Sequence, residues 1–213
     1  IRYHTEAVQV ADPLALNPPP AIRTAAKEVL IDAHLGAAHD IAWGDWKEKE
    51  AAVTRWLELA EALARDFVRS EGGTGRHAFR VAARGLAVSV GLRGKLDPEK
   101  WTKDVIRLGE ELVAAAADPA EKDRLRWDIG VALYDALQIY EMRSDHQAAL
   151  KYGEQAIEYL ESSDRRHEVA TANYLLGRLY FRLGSIHAMR DKNHRLAVSW
   201  YDKAEPLLKK PGP

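Results

Sequence analysis

The sequence predicts an all-α protein, built as an α-solenoid of about four antiparallel helix pairs with eight helices in all. Apolar residues recur at spacings of three and four in nearly every segment, and no sustained alternation with a period of two is present. Two stretches near the C-terminus also repeat at a fixed spacing of about 47 residues. Such a period is typical of stacked helical repeats, because each unit has an apolar face that only its neighbour covers.

The repeat combines a glycine in one helix with an alanine pair in the next. Gly130 and Gly177 lie 47 positions apart. The alanines of the second helices, matched at a spacing of 48, are Ala149, Ala156, Ala197 and Ala204. Gly36 and Gly85 occupy the glycine position of the two earlier units. Because a helical glycine costs about 1 kcal/mol relative to alanine, we expect close approach of the partner helix to offset this cost.

Residues 1–20 are predicted to be an extended, proline-rich lead-in. Asp12-Pro13 and the run from Asn17 to Pro20 favour this interpretation, because proline removes a backbone donor and restricts the residue before it.

Each helix of the first two pairs is bounded by a local signal. The predicted helices of the first pair span about 21–43 and 46–70, with breaks at Gly44-Asp45 and at the turn formed by residues 72–75. The second pair spans about 76–91 and 99–117. Asp97-Pro98 is a strong start signal, since Asp caps the free amides while Pro at the first helical position loses no bond.

The last two pairs follow the same rules. Asp118-Pro119 begins a helix that reaches about residue 142, and Ser144 or Asp145 caps the next helix, to about residue 161. Asp164 is predicted to cap a helix over 164–189, and the last helix spans 194–210 before the terminal Pro211-Gly212-Pro213. The predicted repeat units are 21–71, 75–117, 119–162 and 164–210, which form a single repeat domain over 21–213.

Composition predicts an ordinary soluble protein. The chain has 213 residues, 46% of them apolar, no cysteine and a formal charge of -1, so neither nucleic acid nor a membrane span is expected. The lack of cysteine and of a secretion signal favours the cytoplasm. From residue 164 onward, the chain contains ten Lys/Arg and five Asp/Glu. This local excess of +5 fits either solvated helix faces or a site for an acidic peptide or anionic surface.

No pattern predicts catalysis, a metal or a cofactor. His34 and His39 are five positions apart, which rotates them off a common helix face. The glycines of the 72–75 turn lack the preceding strand and the Gly-Lys-Ser/Thr ending of a phosphate cradle. The paired carboxylates of Glu110 and Glu111 have the character of exposed helix charges. We therefore predict a protein that is not an enzyme.

The helix pairs resemble tetratricopeptide repeats (TPR). The last unit carries the clearest match, in the order Leu176, Gly177, Tyr180, Gly184, Ala197, Tyr201, Lys203 and Ala204. Gly177 and Ala197 are 20 positions apart where the family pattern has 12, so the chain resembles a long-helix variant with units of about 45–49 residues. The resemblance implies a right-handed superhelix, and it is strong only from about residue 119 onward.

The resemblance also implies a binding groove along the first helix of each pair. The residues that it places there are Trp127, Val131, Tyr134, Asp135, Tyr174, Arg178, Phe181 and Arg182. Aromatic rings supply contact area at low entropic cost, and guanidinium groups pair with carboxylates. The aromatic residues fit the core between the helix layers equally well.

These observations favour a non-enzymatic scaffold that binds a protein or peptide segment along its concave face. Arg178 and Arg182 favour an acidic ligand. An alternative is a structural or self-association segment of a larger solenoid or multidomain protein, because the chain stops after a second helix without a polar capping helix. A remote alternative is a helical domain that binds a small molecule or acts as an enzyme.

Overall fold

The computed structural model describes residues 1–16, 19–71 and 75–209. Within these ranges it contains nine α-helices and no strand, which confirms the all-α prediction. The chain divides into two compact units, unit 1 (Ile1–Leu112) and unit 2 (Val113–Pro213). Over the same described ranges, every helix is too short or too polar to cross a membrane. The single repeat domain over 21–213 stays a prediction.

Five helices begin in unit 1. They are α1 (Arg2–Leu16), α2 (Pro20–Trp43), α3 (Lys49–Glu71), α4 (Arg76–Gly91) and α5 (Glu99–Ala115), the last of which runs past Leu112. The predicted helix over 76–91 matches α4 at both ends. The predicted starts at 21 and 46 are displaced by one and three residues. The turn at Gly72-Gly73-Thr74 lies outside the described residues.

The first helix contradicts the prediction of an extended lead-in, which is wrong for residues 2–16. Pro13 lies inside α1, where it removes the hydrogen bond to the carbonyl one turn earlier and its ring crowds that carbonyl. Val8, Ala11 and Ala15 bury one face of α1 against Ala26 and Leu30 of α2. This packing offsets the proline, because most helix stability in proteins comes from burying an apolar face. Asn17 and Pro18 lie outside the described residues.

α2 and α3 form an antiparallel hairpin around an apolar core. Ile31, Val53 and Ala60 are fully buried, and Leu57 is nearly so. At one end of the hairpin, polar side chains cross between the helices. Glu71 accepts hydrogen bonds from Arg23 Nε at 2.9 Å and from Thr24 Oγ1 at 2.8 Å, while Lys27 Nζ donates to Asp66 at 2.9 Å and to Ser70 Oγ at 2.6 Å.

Unit 2 consists of two antiparallel hairpins. They pair α6 (Pro119–Met142) with α7 (His146–Ser162), and α8 (Ala172–Met189) with α9 (His194–Leu208). Asp118 and Asp145 accept hydrogen bonds from backbone amides at the starts of α6 and α7, as the capping signals predicted. The predicted end of the last helix, Lys210, and the residues after it lie outside the described residues.

The prediction of one continuous helix over 164–189 is wrong for its first eight residues. Residues Asp164–His167 form a short 3-10 turn, and α8 begins at Ala172. The cause is a distant contact: the Asp123 carboxylate on α6 accepts hydrogen bonds from the backbone amides of Asp164 at 2.8 Å and Arg165 at 3.2 Å. These amides are bound to α6. Val169 and Thr171 then favour a break because β-branched residues are weak helix formers.

The glycines of unit 2 allow close helix approach. A Cβ atom on Gly130 would lie 2.6 Å from Leu160 Cγ and 3.2 Å from the Ala156 carbonyl oxygen. A Cβ atom on Gly177 would lie 2.9 Å from Leu208 Cγ. A side chain at either position would therefore push the two helices of a hairpin apart. The four repeat alanines are buried, with exposed fractions of 0–2%: Ala149, Ala156, Ala197 and Ala204.

The glycines of unit 1 have different neighbours. Gly85 packs against the indole of Trp101 on α5. The atoms nearest to a Cβ on Gly36 all belong to the His4 ring on α1, and His4 Nε2 lies 3.0 Å from the Asp40 carboxylate. The sequence predicts that the partner helix of the pair, α3, packs against Gly36. The additional helix α1 takes that place.

Candidate functional site

Unit 2 contains a pocket of about 390 Å³ between α6, α8 and the turn that precedes α8. Its lining is aromatic and apolar with one cation. The lining residues are Trp127, Val131, Tyr134, Val169, Thr171, Tyr174, Leu175 and Arg178. Five of the eight residues that the sequence predicted for a groove therefore line one pocket. That this pocket binds a ligand stays a prediction.

Helical periodicity places the predicted residues on one side of each helix. Trp127, Val131 and Tyr134 follow each other at spacings of four and three, which puts them on a single face of α6. Tyr174 and Arg178 are one turn apart on α8. Because Trp127 and Tyr174 are 47 positions apart, like Gly130 and Gly177, the two hairpins present equivalent faces to the pocket.

The aromatic side chains divide between core and surface. Trp127 is 6% exposed and Tyr134 is 9% exposed, so both belong to the packed interior while their edges line the pocket. Tyr174 is 52% exposed at the rim. The sequence fitted a groove and a core position equally well for these aromatic residues. In the structure, Trp127 and Tyr134 belong to the core and Tyr174 belongs to the surface.

Arg178 is the cation of the pocket. Its Nη1 donates a hydrogen bond of 2.9 Å to the Tyr174 hydroxyl, and its guanidinium lies 5.6 Å from the centre of the Tyr174 ring. The hydrogen bond to Tyr174 and the neighbouring Tyr134 phenol raise the pKa of Arg178 above its ordinary value. Within the described part of the chain, no carboxylate forms a salt bridge with Arg178. A full positive charge therefore lies beside exposed aromatic surface.

Arg182 is arranged differently, although the sequence grouped it with Arg178. It forms an ion pair with Glu141 on α6, donates to Gln138 Oε1 at 3.3 Å, and lies 6.0 Å from the centre of the Tyr134 ring. Asp135 accepts a hydrogen bond of 3.2 Å from the same Gln138. Arg182 and Asp135 thus belong to a polar network that ties α8 to α6, and neither residue lines the pocket.

Phe181 also lies outside the pocket lining. Its ring centre is 5.5 Å from that of Tyr201 on α9, and 52% of the side chain remains exposed. The structure therefore gathers five of the predicted residues and leaves Asp135, Phe181 and Arg182 around them.

Three lining residues were missed by the sequence reasoning. Val169 and Thr171 belong to the turn before α8, and Leu175 follows Tyr174. The sequence predicts a continuous helix over 164–189, which leaves no turn to form this wall of the pocket. The β-branched pair just before Ala172 is the local signal that indicates the break.

No family model, curated protein or solved structure matches the chain. The likeness to tetratricopeptide repeats therefore remains a resemblance carried by the residues of the repeat. In the ranges that the structure describes, no three His, Asp or Glu side chains are grouped as metal ligands would be.

Proposed function

We propose that this protein is a non-enzymatic helical scaffold of tetratricopeptide type, and that it binds an acidic peptide segment in the pocket of unit 2. One observation carries the proposal. The pocket of about 390 Å³ combines aromatic walls with Arg178, a cation that has no salt bridge to a described residue. A peptide that inserts an apolar side chain and places a carboxylate beside it satisfies both features.

The chemistry of the rim supports an anionic ligand. Arg178 is held by a phenol and a ring face, both of which leave its charge uncompensated. A guanidinium can form paired hydrogen bonds with a carboxylate, and such charge-assisted bonds are stronger than neutral ones. Arg182 contributes less to this preference than the sequence suggested, because Glu141 already neutralises it.

The buried aromatics support a preformed site. Trp127 and Tyr134 are fixed by the interior of unit 2, so little side-chain ordering accompanies binding at these two walls. Tyr174 is the exposed aromatic that a ligand would cover. Tyrosine and arginine are enriched among the few residues that dominate the affinity of protein interfaces.

The proposal is tested by fluorescence anisotropy with a library of labelled peptides. Each peptide carries one aromatic or aliphatic residue flanked by Asp or Glu, and a paired peptide carries Lys at the flanking positions. We expect saturable binding of acidic peptides and a loss of affinity of about tenfold or more for Arg178→Glu, as removal of a charged hydrogen bond implies.

Arg195→Glu is the matched control. Arg195 is an exposed residue of α9, and its replacement changes the net charge by the same amount without touching the pocket. If both variants weakened peptide binding equally, the loss of affinity would come from the changed net charge and not from Arg178 itself. Full affinity in Arg178→Glu, or equal affinity for the Lys-flanked peptides, would overturn the acidic-peptide proposal.

A further inference from the structure

Unit 1 presents a second apolar surface, which we call the α1/α2 face. It lies along the outside of the antiparallel pair formed by α1 and α2 and encloses a trough of about 470 Å³. The residues of the α1/α2 face are Tyr3, Ala7, Val10, Ala11, Leu14, Ile22, Ala25, Ala26 and Val29. Apart from Glu6 at one end, the trough is lined by apolar side chains.

α1 has two apolar stripes, and unit 1 covers only one of them. Val8, Ala11 and Ala15 pack against α2. The second stripe consists of Tyr3, Ala7, Val10 and Leu14, at spacings of four, three and four. This is the spacing of a helix seam that packs against another helix. A helix that is apolar on two sides is expected to be buried on both.

The shape of the α1/α2 face suits helix packing. Small side chains form the floor of the trough, where the buried Ala11 and Ala26 allow close approach. Larger side chains form the two ridges beside it, with Val10 and Leu14 on α1 and with Ile22 and Val29 on α2. A surface that carries both a ridge and a groove can pack against an identical copy of itself about a two-fold axis.

The area is sufficient for an interface. The exposed fractions of the large side chains are 82% for Tyr3, 66% for Val10, 47% for Ile22, 45% for Val29 and 43% for Leu14. At roughly 200 Å² for the aromatic Tyr3 and about two thirds of that for each aliphatic side chain, these fractions amount to about 400 Å² per copy. Two copies would bury about 800 Å² from these side chains alone, which is the size of a weak, concentration-dependent interface.

Two carboxylates beside the α1/α2 face are compensated within unit 1. Glu6 forms a salt bridge of 2.8 Å with Arg2. On α2, Asp32 pairs with Arg80. A two-fold interface brings each charge near its own copy, so these two ion pairs remove the repulsion that Glu6 and Asp32 would otherwise contribute.

We propose that a second copy of this chain docks on the α1/α2 face. The α1/α2 pairs of the two copies then form a four-helix bundle, with the stripe of Tyr3, Ala7, Val10 and Leu14 in its core. Antiparallel helix pairs with a continuous apolar seam are the usual building blocks of such bundles. The proposal concerns residues of unit 1 only, and it does not depend on peptide binding by unit 2.

The test is sedimentation equilibrium of the full chain over a wide range of protein concentration. We expect the mass to rise from monomer to dimer with concentration. In Val10→Glu, each dimer buries two unpaired carboxylates, so its dissociation constant should increase by about a hundredfold or more. Tyr3→Glu should weaken the dimer in the same direction, and its exposed position cannot disturb the fold of the monomer.

Val198→Glu is the matched control. Val198 is 54% exposed on α9 of unit 2, so the same substitution is made at a similar exposure on a helix that contributes no residue to the α1/α2 face. Its dimer should be as stable as that of the original chain, and far-ultraviolet circular dichroism should give equal helicity for all variants. A monomer at every concentration would overturn the proposal. So would a dimer that both Val10→Glu and Tyr3→Glu leave unchanged, or assembly beyond the dimer.

Discussion

The ammonium nitrogen of Lys27 lies 3.1 Å from the Glu71 carboxylate, and the two side chains are only 11% and 6% exposed. The pair joins α2 to the last residue of α3. Glu71 also accepts hydrogen bonds from Arg23 and Thr24, so three side chains of α2 converge on one carboxylate. This cluster makes the stability of unit 1 sensitive to acid.

The first prediction concerns that acid sensitivity. Hydrogen bonds from Arg23, Thr24 and Lys27 lower the pKa of Glu71 from 4.5 to about 2. A carboxyl group with a lowered pKa in the folded state stabilises that state above its unfolded pKa. We therefore expect this stabilisation to be complete above pH 4.5 and to be lost as the pH falls toward 2. Urea unfolding at several pH values measures it.

Glu71→Gln should unfold at lower urea concentration than the original chain at neutral pH and should lose less stability between pH 4.5 and 2. Glu58→Gln, an exposed position on the same helix, should behave like the original chain. If Glu71→Gln retained the full acid dependence in that range, the cluster would not be its cause.

A second prediction concerns His34. Burial lowers its pKa below the ordinary 6.5, and its ring lies 4.9 Å from that of Trp56 while Nδ1 is 2.6 Å from the Leu30 carbonyl oxygen. Because the folded state binds a proton less readily than the unfolded state, unit 1 should lose stability as the pH falls below 6.5. An NMR titration of the imidazole protons should give a midpoint below that value. A midpoint at or above 6.5 would contradict the burial argument.

A third prediction concerns helix approach in unit 2. Gly130→Ala should destabilise the protein by about 1–3 kcal/mol, since the new Cβ lies 2.6 Å from Leu160 Cγ. Helix propensity alone predicts a gain of about 1 kcal/mol, so the sign of the change separates the two effects. Gly75→Ala is a control for the steric effect alone, because its Cβ would meet Leu108 at an ordinary 3.5 Å and Gly75 precedes α4 without lying inside it. Denaturant unfolding measures both.

A fourth prediction separates core from groove among the aromatics. Trp127→Ala should cost about 3–5 kcal/mol of folding stability, because the indole is almost fully buried. Tyr174→Ala should cost less than about 1 kcal/mol, since the ring is half exposed and its bond to Arg178 is a surface contact. Loss of peptide affinity without loss of stability in Tyr174→Ala would locate Tyr174 in the binding surface. Equal destabilisation by both changes would assign Tyr174 to the core.

Most helix ends could be predicted because their signals are local. Asp97-Pro98, Asp118-Pro119 and the Asp145 cap act within one turn of the helix that they begin, and all three mark observed helix starts. α1 could not be found in this way. Its stability comes from packing on Ala26 and Leu30, which follow its last residue by 10 and 14 positions, and the prolines of the segment indicated the opposite.

The same distinction applies to the pocket. Trp127, Val131, Tyr134, Tyr174 and Arg178 could be grouped because helical spacing and the repeat determine which side of a helix they occupy. The roles of Arg182 and Phe181 depend on contacts between helices, with Glu141 on α6 and with Tyr201 on α9. No local pattern in the sequence indicates such pairs.

The hydrogen bonds from Asp123 to the amides of residues 164 and 165 have a consequence for how the protein can change. They hold the start of the turn before α8 through two backbone amides, and the Ser163 hydroxyl adds hydrogen bonds with the Arg165 amide and with the Asp123 carbonyl. Two side chains of this turn, Val169 and Thr171, form one wall of the pocket. The side chains of Val169 and Thr171 make none of these hydrogen bonds, so exchanging them changes the lining of the pocket while the contact between the turn and α6 is kept.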